Sequence, residues 1–126
     1  MPTAEKQQAV EDLARQLEGV KGLYLADFTG MDVERMTLLR KQCRESSIHF
    51  KVIKNTLIKK ALERVRGYDK VYDRLSGPTG IAFAFDDPVV PAKIIQKFTE
   101  KHNKLSLKVC VIEKEVFDGK RLAELA

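Results

Sequence analysis

Apolar positions along the chain change period several times, and each change marks an element. Val10, Leu13, Ala14 and Leu17 repeat at i, i+3, i+4 and i+7, the stripe of an amphipathic helix. Thr3 is placed to cap it and Gly19 to stop it. "GLYLADF" then alternates, with Leu23 and Leu25 on one face and Tyr24, Ala26 and Phe28 on the other. Both faces are apolar, which predicts a central strand covered on two sides.

Thr29-Gly30 turns the chain, and Asp32 is expected to cap a second helix with Val33, Met36, Leu39 and Cys43 inward. "IHFKVIK" follows as a half-exposed strand, with Ile48, Phe50 and Val52 on one face and His49, Lys51 and Ile53 on the other. Asn55 or Thr56 is expected to cap a third helix carrying Ile58, Ala61, Leu62 and Val65. A short helical piece over 71–75 and the turn "SGPTG" lead into the strand "IAFAF". Asp87-Pro88 reads as an N-cap with proline at the first helical position, and Ile94, Ile95 and Phe98 as that helix's buried face. Pro91 is expected to disturb its first turn. "LSLKVCVI" is a last strong strand, "EKEVF" a short hairpin arm, and Asp118 the cap of a further helix.

Without the first helix and the helical insertion between the second and third strands, the order is strand-helix-strand, strand-helix-strand. That predicts an α+β fold built on a ferredoxin-like split βαβ sheet. The 126 residues, 44% of them hydrophobic, suit one domain with a core of its own. No apolar run approaches the roughly 18 to 20 residues of a membrane span, and the acid-bearing N-terminus does not read as a secretory signal. Cys43 and Cys110 lie in apolar segments without a CxxC spacing. They are expected to be buried and reduced, as in a cytoplasmic protein, and with only His49 and His102 besides, no zinc site or other cofactor is expected.

Charge changes the picture more than composition does. The net charge is +5, and Met31–Arg66 alone holds ten bases against four acids. The preceding thirty residues are net negative and the remainder nearly balanced. A positive field confined to one segment suits an acidic partner, most often nucleic acid. At its centre lies "KVIKNTLIKK", where Lys51 and Lys54 lead into a helix start and Lys59 and Lys60 follow on the helix, with Arg40 and Arg44 on the helix before. A helix N-terminus with adjoining bases favours phosphate. A solvated basic face accounts for the same residues, and on these positions alone both readings stay open.

Other chemistries fit less well. Tyr24, Phe28, Phe83 and Phe85 fall on strands where RNA-recognition motifs carry stacking aromatics, which makes a single-stranded RNA-binding module the alternative. Pro78-Thr79-Gly80 stands where such motifs have a base, so these rings are expected in the core. His49 has no acid nearby in sequence, and Asp86-Asp87 is accounted for by helix capping. There is no phosphate-cradling glycine loop and no nucleophile elbow. Arg44 and Asn55 could imitate the pair used by small ferredoxin-like hydrolases, but no enzymatic activity is expected.

The segments "ADFTGMDVERMTLLRKQCRE", "FKVIKNTLIKKAL", "LSGPTGIAFAFDDPVVPAKII" and "LKVCVIEKEVFDGKRLAELA" together resemble the bacterial stalk-anchor family of the large ribosomal subunit, ribosomal protein L-ten. The resemblance implies a non-enzymatic role. Such proteins bind large-subunit ribosomal RNA at the stalk base beside another stalk-base protein, and a C-terminal helix holds acidic dimers that recruit translational GTPases. Carried over by motif, Lys54, Asn55, Thr56, Lys59 and Lys60 match the "KNT" region, Arg40 the base of "MTLLRK" and Gly77 the "GPT" turn, with Lys51 and Arg44 as outer contributors to the RNA surface. The resemblance also implies a linker and a long amphipathic helix beyond Ala126. Residues 1–126 are therefore expected to form the RNA-binding domain alone.

Overall fold

The computed structural model describes residues 4–65, 67–77, 79–102, 105–113 and 115–119. Its elements in chain order are α1 (Ala4–Gly19), β1 (Gly22–Asp27), α2 (Val33–Glu45), β2 (His49–Val52), α3 (Asn55–Val65), a 3-10 helix (Asp69–Arg74), β3 (Gly80–Ala84), α4 (Val90–His102), β4 (Ser106–Ile112) and β5 (Glu115–Asp118). The strands form one sheet in the order β2-β3-β1-β4-β5, every neighbouring pair antiparallel. This is the split βαβ order expected from the pattern, extended at one edge by the β5 hairpin arm. The Thr3 cap and the helix expected after Asp118 lie outside the described residues.

The two-sided character of β1 and β3 has a direct cause. Leu23, Leu25, Ile81, Phe83, Val109 and Val111 pack under α1 and α3 on one face of the sheet. Tyr24, Ala26, Ala82, Ala84 and Cys110 pack under α2 and α4 on the other. Tyr24 and Phe83 are both fully buried, each ring worth about 1.5–3 kcal/mol of apolar burial. Tyr24 also donates its hydroxyl to the Pro88 carbonyl at 2.7 Å, which satisfies its one polar group. The same burial pushes the Cys43 thiol up to about 12.

Three local expectations differ from the structure. Val33 was expected inward but is 81% exposed, because α2 begins there and its buried stripe contains only Leu39 and Cys43. Asp32 caps α2 as expected, its carboxylate accepting the Arg35 amide at 2.8 Å. Neither Asn55 nor Thr56 caps α3. The Lys54 carbonyl accepts from the amides of Leu57 and Ile58, so Lys54 occupies the capping position and Asn55 is the first helical residue. Pro88 is not the first residue of α4 either. Asp87 accepts the Val89 amide in a turn, and the helix opens at Val90, leaving Pro91 in the first turn where its missing N–H costs little.

Candidate nucleic-acid interface

Two turns bring the basic segment to one edge of the sheet. The first joins α2 to β2. Ser46 ends the helix, the Ser47 amide bonds to the Arg44 carbonyl, and the Ile48 amide bonds to the Cys43 carbonyl. These are the paired bonds of a Schellman motif, and Ile48 and Cys43 share its hydrophobic contact in one core cluster. Ser47 holds the left-handed position at φ 59° that glycine usually takes. The reversal folds Arg40 and Arg44 of α2 back beside the exposed edge strand. With His49, Phe50 and Lys51 they line an open groove of about 360 Å³.

Among the described residues edge strand β2 pairs only with β3, and its pattern is mostly exposed. Lys51 is exposed and donates to Gln16 Oε1 of α1 at 3.2 Å. His49 is exposed and meets the Phe85 ring edge-on at 5.4 Å. That is a surface contact, as its lack of an acidic neighbour suggested.

The second is the bend at Gly77, which faces the start of α3. Asn55 Nδ2 donates to the Gly77 carbonyl at 2.9 Å, across 22 residues of sequence. The Thr79 hydroxyl donates to the same carbonyl at 3.2 Å, so both lone pairs of that oxygen are engaged. Gly77 sits at φ +69°, a region costly for residues with a Cβ, although a Cβ there would meet nothing within 4 Å. The "KNT" and "GPT" motifs are thus in direct contact. Lys54, Thr56, Lys59 and Lys60 are exposed, and Lys59 Nζ lies 5.7 Å from the centre of the Tyr72 ring.

The nine residues singled out by the sequence therefore form two adjoining groups. Lys54, Asn55, Thr56 and Gly77 build the α3 start, with Lys59 and Lys60 further along that helix. Arg40, Arg44 and Lys51 flank the β2 edge just before it.

Sequence reasoning missed the residues behind the Gly77 bend. Lys108 Nζ donates to the Ser76 carbonyl and, at 2.8 Å, to Thr79 Oγ1. Arg74 Nη1 donates to the Lys108 carbonyl at 3.2 Å, while Arg74 Nη2 pairs with Asp118 at 2.6 Å. Burial holds the Lys108 ammonium below the usual lysine range, partly offset by the Asp27 charge. The Thr29 hydroxyl, bonded to Asp27 Oδ1 at 2.5 Å, holds that carboxyl below the usual range, aided by the Thr29 amide and by Lys108.

No group of three or more His, Cys, Asp or Glu among the described residues could hold a metal ion, and no helix there is long and apolar enough to cross a membrane. The architecture is that of a small α+β domain with helices on both sheet faces and an exposed basic edge. The chain belongs to the family described as ribosomal protein L10, whose sequence model matches residues 1–100. The large ribosomal subunit protein uL10 of Chlorobium phaeobacteroides (strain BS1) is 44% identical over 126 residues, covering all of this chain and 73% of that protein. The uL10 proteins of Prosthecochloris aestuarii and Chloroherpeton thalassium are 41% and 40% identical over the same 126 residues, again 73% of each. The family makes the chain a structural, non-enzymatic component of the large ribosomal subunit, and so of the cytoplasmic ribosome.

Proposed function

We propose that the α3 start and the neighbouring β2 edge anchor the protein to large-subunit ribosomal RNA at the base of the stalk. One observation carries this reading most directly. Side chains from the single strongly basic segment surround an exposed helix start whose first residue, Asn55, is tied to the Gly77 turn. An α-helix leaves its first amide groups without intrahelical acceptors, and its dipole favours anions there. Lys54, Lys59 and Lys60, with Arg40, Arg44 and Lys51 as outer contributors, supply cations for the RNA backbone. Thr56 adds a neutral donor. Backbone neutralisation provides most of the affinity, and the fit of a rigid protein edge to folded RNA provides the specificity.

In this reading the described domain is the RNA anchor, beside a neighbouring stalk-base protein. The acidic stalk dimers that recruit translational GTPases are held by a C-terminal helix outside these residues. The sheet aromatics are a poor alternative surface, since Tyr24 and Phe83 are wholly covered.

The test is binding to a transcript of the stalk-base ribosomal RNA over a range of salt. Replacing Lys54, Lys59 and Lys60 together by Ala is expected to flatten the log–log salt slope by up to about three units, one per lost phosphate contact. Unchanged binding by the triple variant would remove the site assignment.

A further inference from the structure

Strand β4 pairs with β1 in a register that slips once. Leu25 faces Val109 and Ala26 faces Leu107, so Lys108 is an extra residue with no partner across the ladder. A bulge of this kind breaks the alternation of a strand and re-aims one side chain. Here the re-aimed side chain is a lysine, and it reaches Ser76 and Thr79 on either side of the Gly77 bend.

The bulge is held from two sides. Arg74, at the end of the 3-10 helix, donates to the Lys108 carbonyl and is itself pinned by Asp118 of β5. Gly119 passes so close to the Leu107 carbonyl that any side chain there would collide with it. Of the three donors on Lys108 Nζ, two go to the Ser76 carbonyl and the Thr79 hydroxyl. The Thr79 hydroxyl donates in turn to the Gly77 carbonyl oxygen, which also accepts from the Asn55 amide. Asn55 Oδ1 is buried with no hydrogen-bond partner among the described residues. Its amide is therefore committed inward to the turn rather than outward to a ligand.

We propose that Lys108 is a positioning residue for the nucleic-acid interface: from its bulge in β4 it fixes Ser76 and Thr79 beside the Gly77 bend, and that bend, through Asn55, fixes the start of α3. The proposal rests on the RNA-anchoring reading above. It assigns to Lys108 a role different from that of Lys54, Lys59 and Lys60. Lys108 orders the groups that meet the RNA and does not itself neutralise a phosphate.

The test is a double-mutant cycle in Lys108→Met and Asn55→Ala, using the stalk-base transcript with a salt titration. Each single change is expected to weaken binding roughly three- to tenfold, the effect of one lost hydrogen bond, with the salt slope unaltered. The double variant is expected to bind no worse than the weaker single variant, because both break the same chain of contacts. In the RNA-free protein, Lys108→Met should shift the NMR signal of the Asn55 side-chain amide and speed its hydrogen exchange.

Additive losses in the cycle, a salt slope flattened by about one unit, or an unmoved Asn55 amide would each overturn the proposal. Normal binding by Lys108→Met sinks it while leaving the anchoring reading intact, whereas a wild-type chain that ignores the transcript sinks both. Should Lys108→Met fail to fold by circular dichroism, Thr79→Val removes the hydroxyl at the middle of the chain and is read by the same criteria.

Discussion

The two edges of the sheet are built to opposite ends. The β2 edge is short, exposed and flanked by Arg40, Arg44 and Lys51, with Lys54 immediately beyond it. The β5 edge carries Glu115 and Asp118, and Arg74 reaches across to pair with Asp118. An unpaired strand edge invites association, and charge is one way to control what associates. At β2 the charges have one sign and few protein partners close to them. At β5 an acid already has its cation. The comparison teaches that the basic surplus is localised in space as well as in sequence, and that the acidic edge serves the basic one from behind, through Arg74 and the Lys108 bulge.

The most damaging change strikes the core that holds both edges together. Phe83→Ala, in central strand β3 and under α1 and α3, should cost about 3–5 kcal/mol in urea unfolding. RNA binding should then fail only as the fold fails. A stable variant that has lost binding would shift attention from the edges to the aromatic face.

Charge removal at the edges is expected to separate them. Arg44→Ala with Lys51→Ala at β2 should flatten the salt slope of RNA binding by about two units, whereas Glu115→Gln at β5 should leave the slope where it was. Equal responses at both edges would mean that net charge alone governs binding. A smaller effect concerns the turn that presents the β2 edge. Ser47→Gly relieves a left-handed serine and should raise stability by up to about 1 kcal/mol, without altering RNA affinity.

The smallest expected effect is a pH dependence. Asp27 has a depressed folded-state value, caused first by the Thr29 hydroxyl, so its contribution to stability is present above the unfolded carboxylate range near 4. That contribution is lost as pH falls through the lower folded value. Asp27→Asn should therefore melt slightly earlier than wild type at neutral pH, with the two melting curves converging in acid.

Periodicity made much of this fold legible. The α1 stripe of Val10, Leu13, Ala14 and Leu17 is buried as the spacing requires. The apolar character of both faces of "GLYLADF" correctly marked a strand covered on two sides, and "IAFAF" was rightly read as an apolar strand, which the structure also covers on both faces. The Asp32 cap was readable because its partner amide lies three residues away. Asn55 was misread as a cap for the opposite reason. Asparagine suits that position locally, but a carbonyl 22 residues away takes its amide instead. Lys108 left no readable signal, since a bulge disrupts the alternation by which strand faces are assigned, and its partners lie 29 and 32 residues distant.

By itself the sequence determined the types of the described elements, the burial of the two-sided first strand and the segment that carries the positive charge. Those follow from side-chain period and composition, which act over one turn of helix or a few residues of strand. Only the tertiary structure decided that the "KNT" and "GPT" motifs touch, that Arg44 folds back beside Lys51, and that a bulged lysine stands behind the helix start. These depend on strand order and register, in which a slip of one residue redirects every side chain that follows.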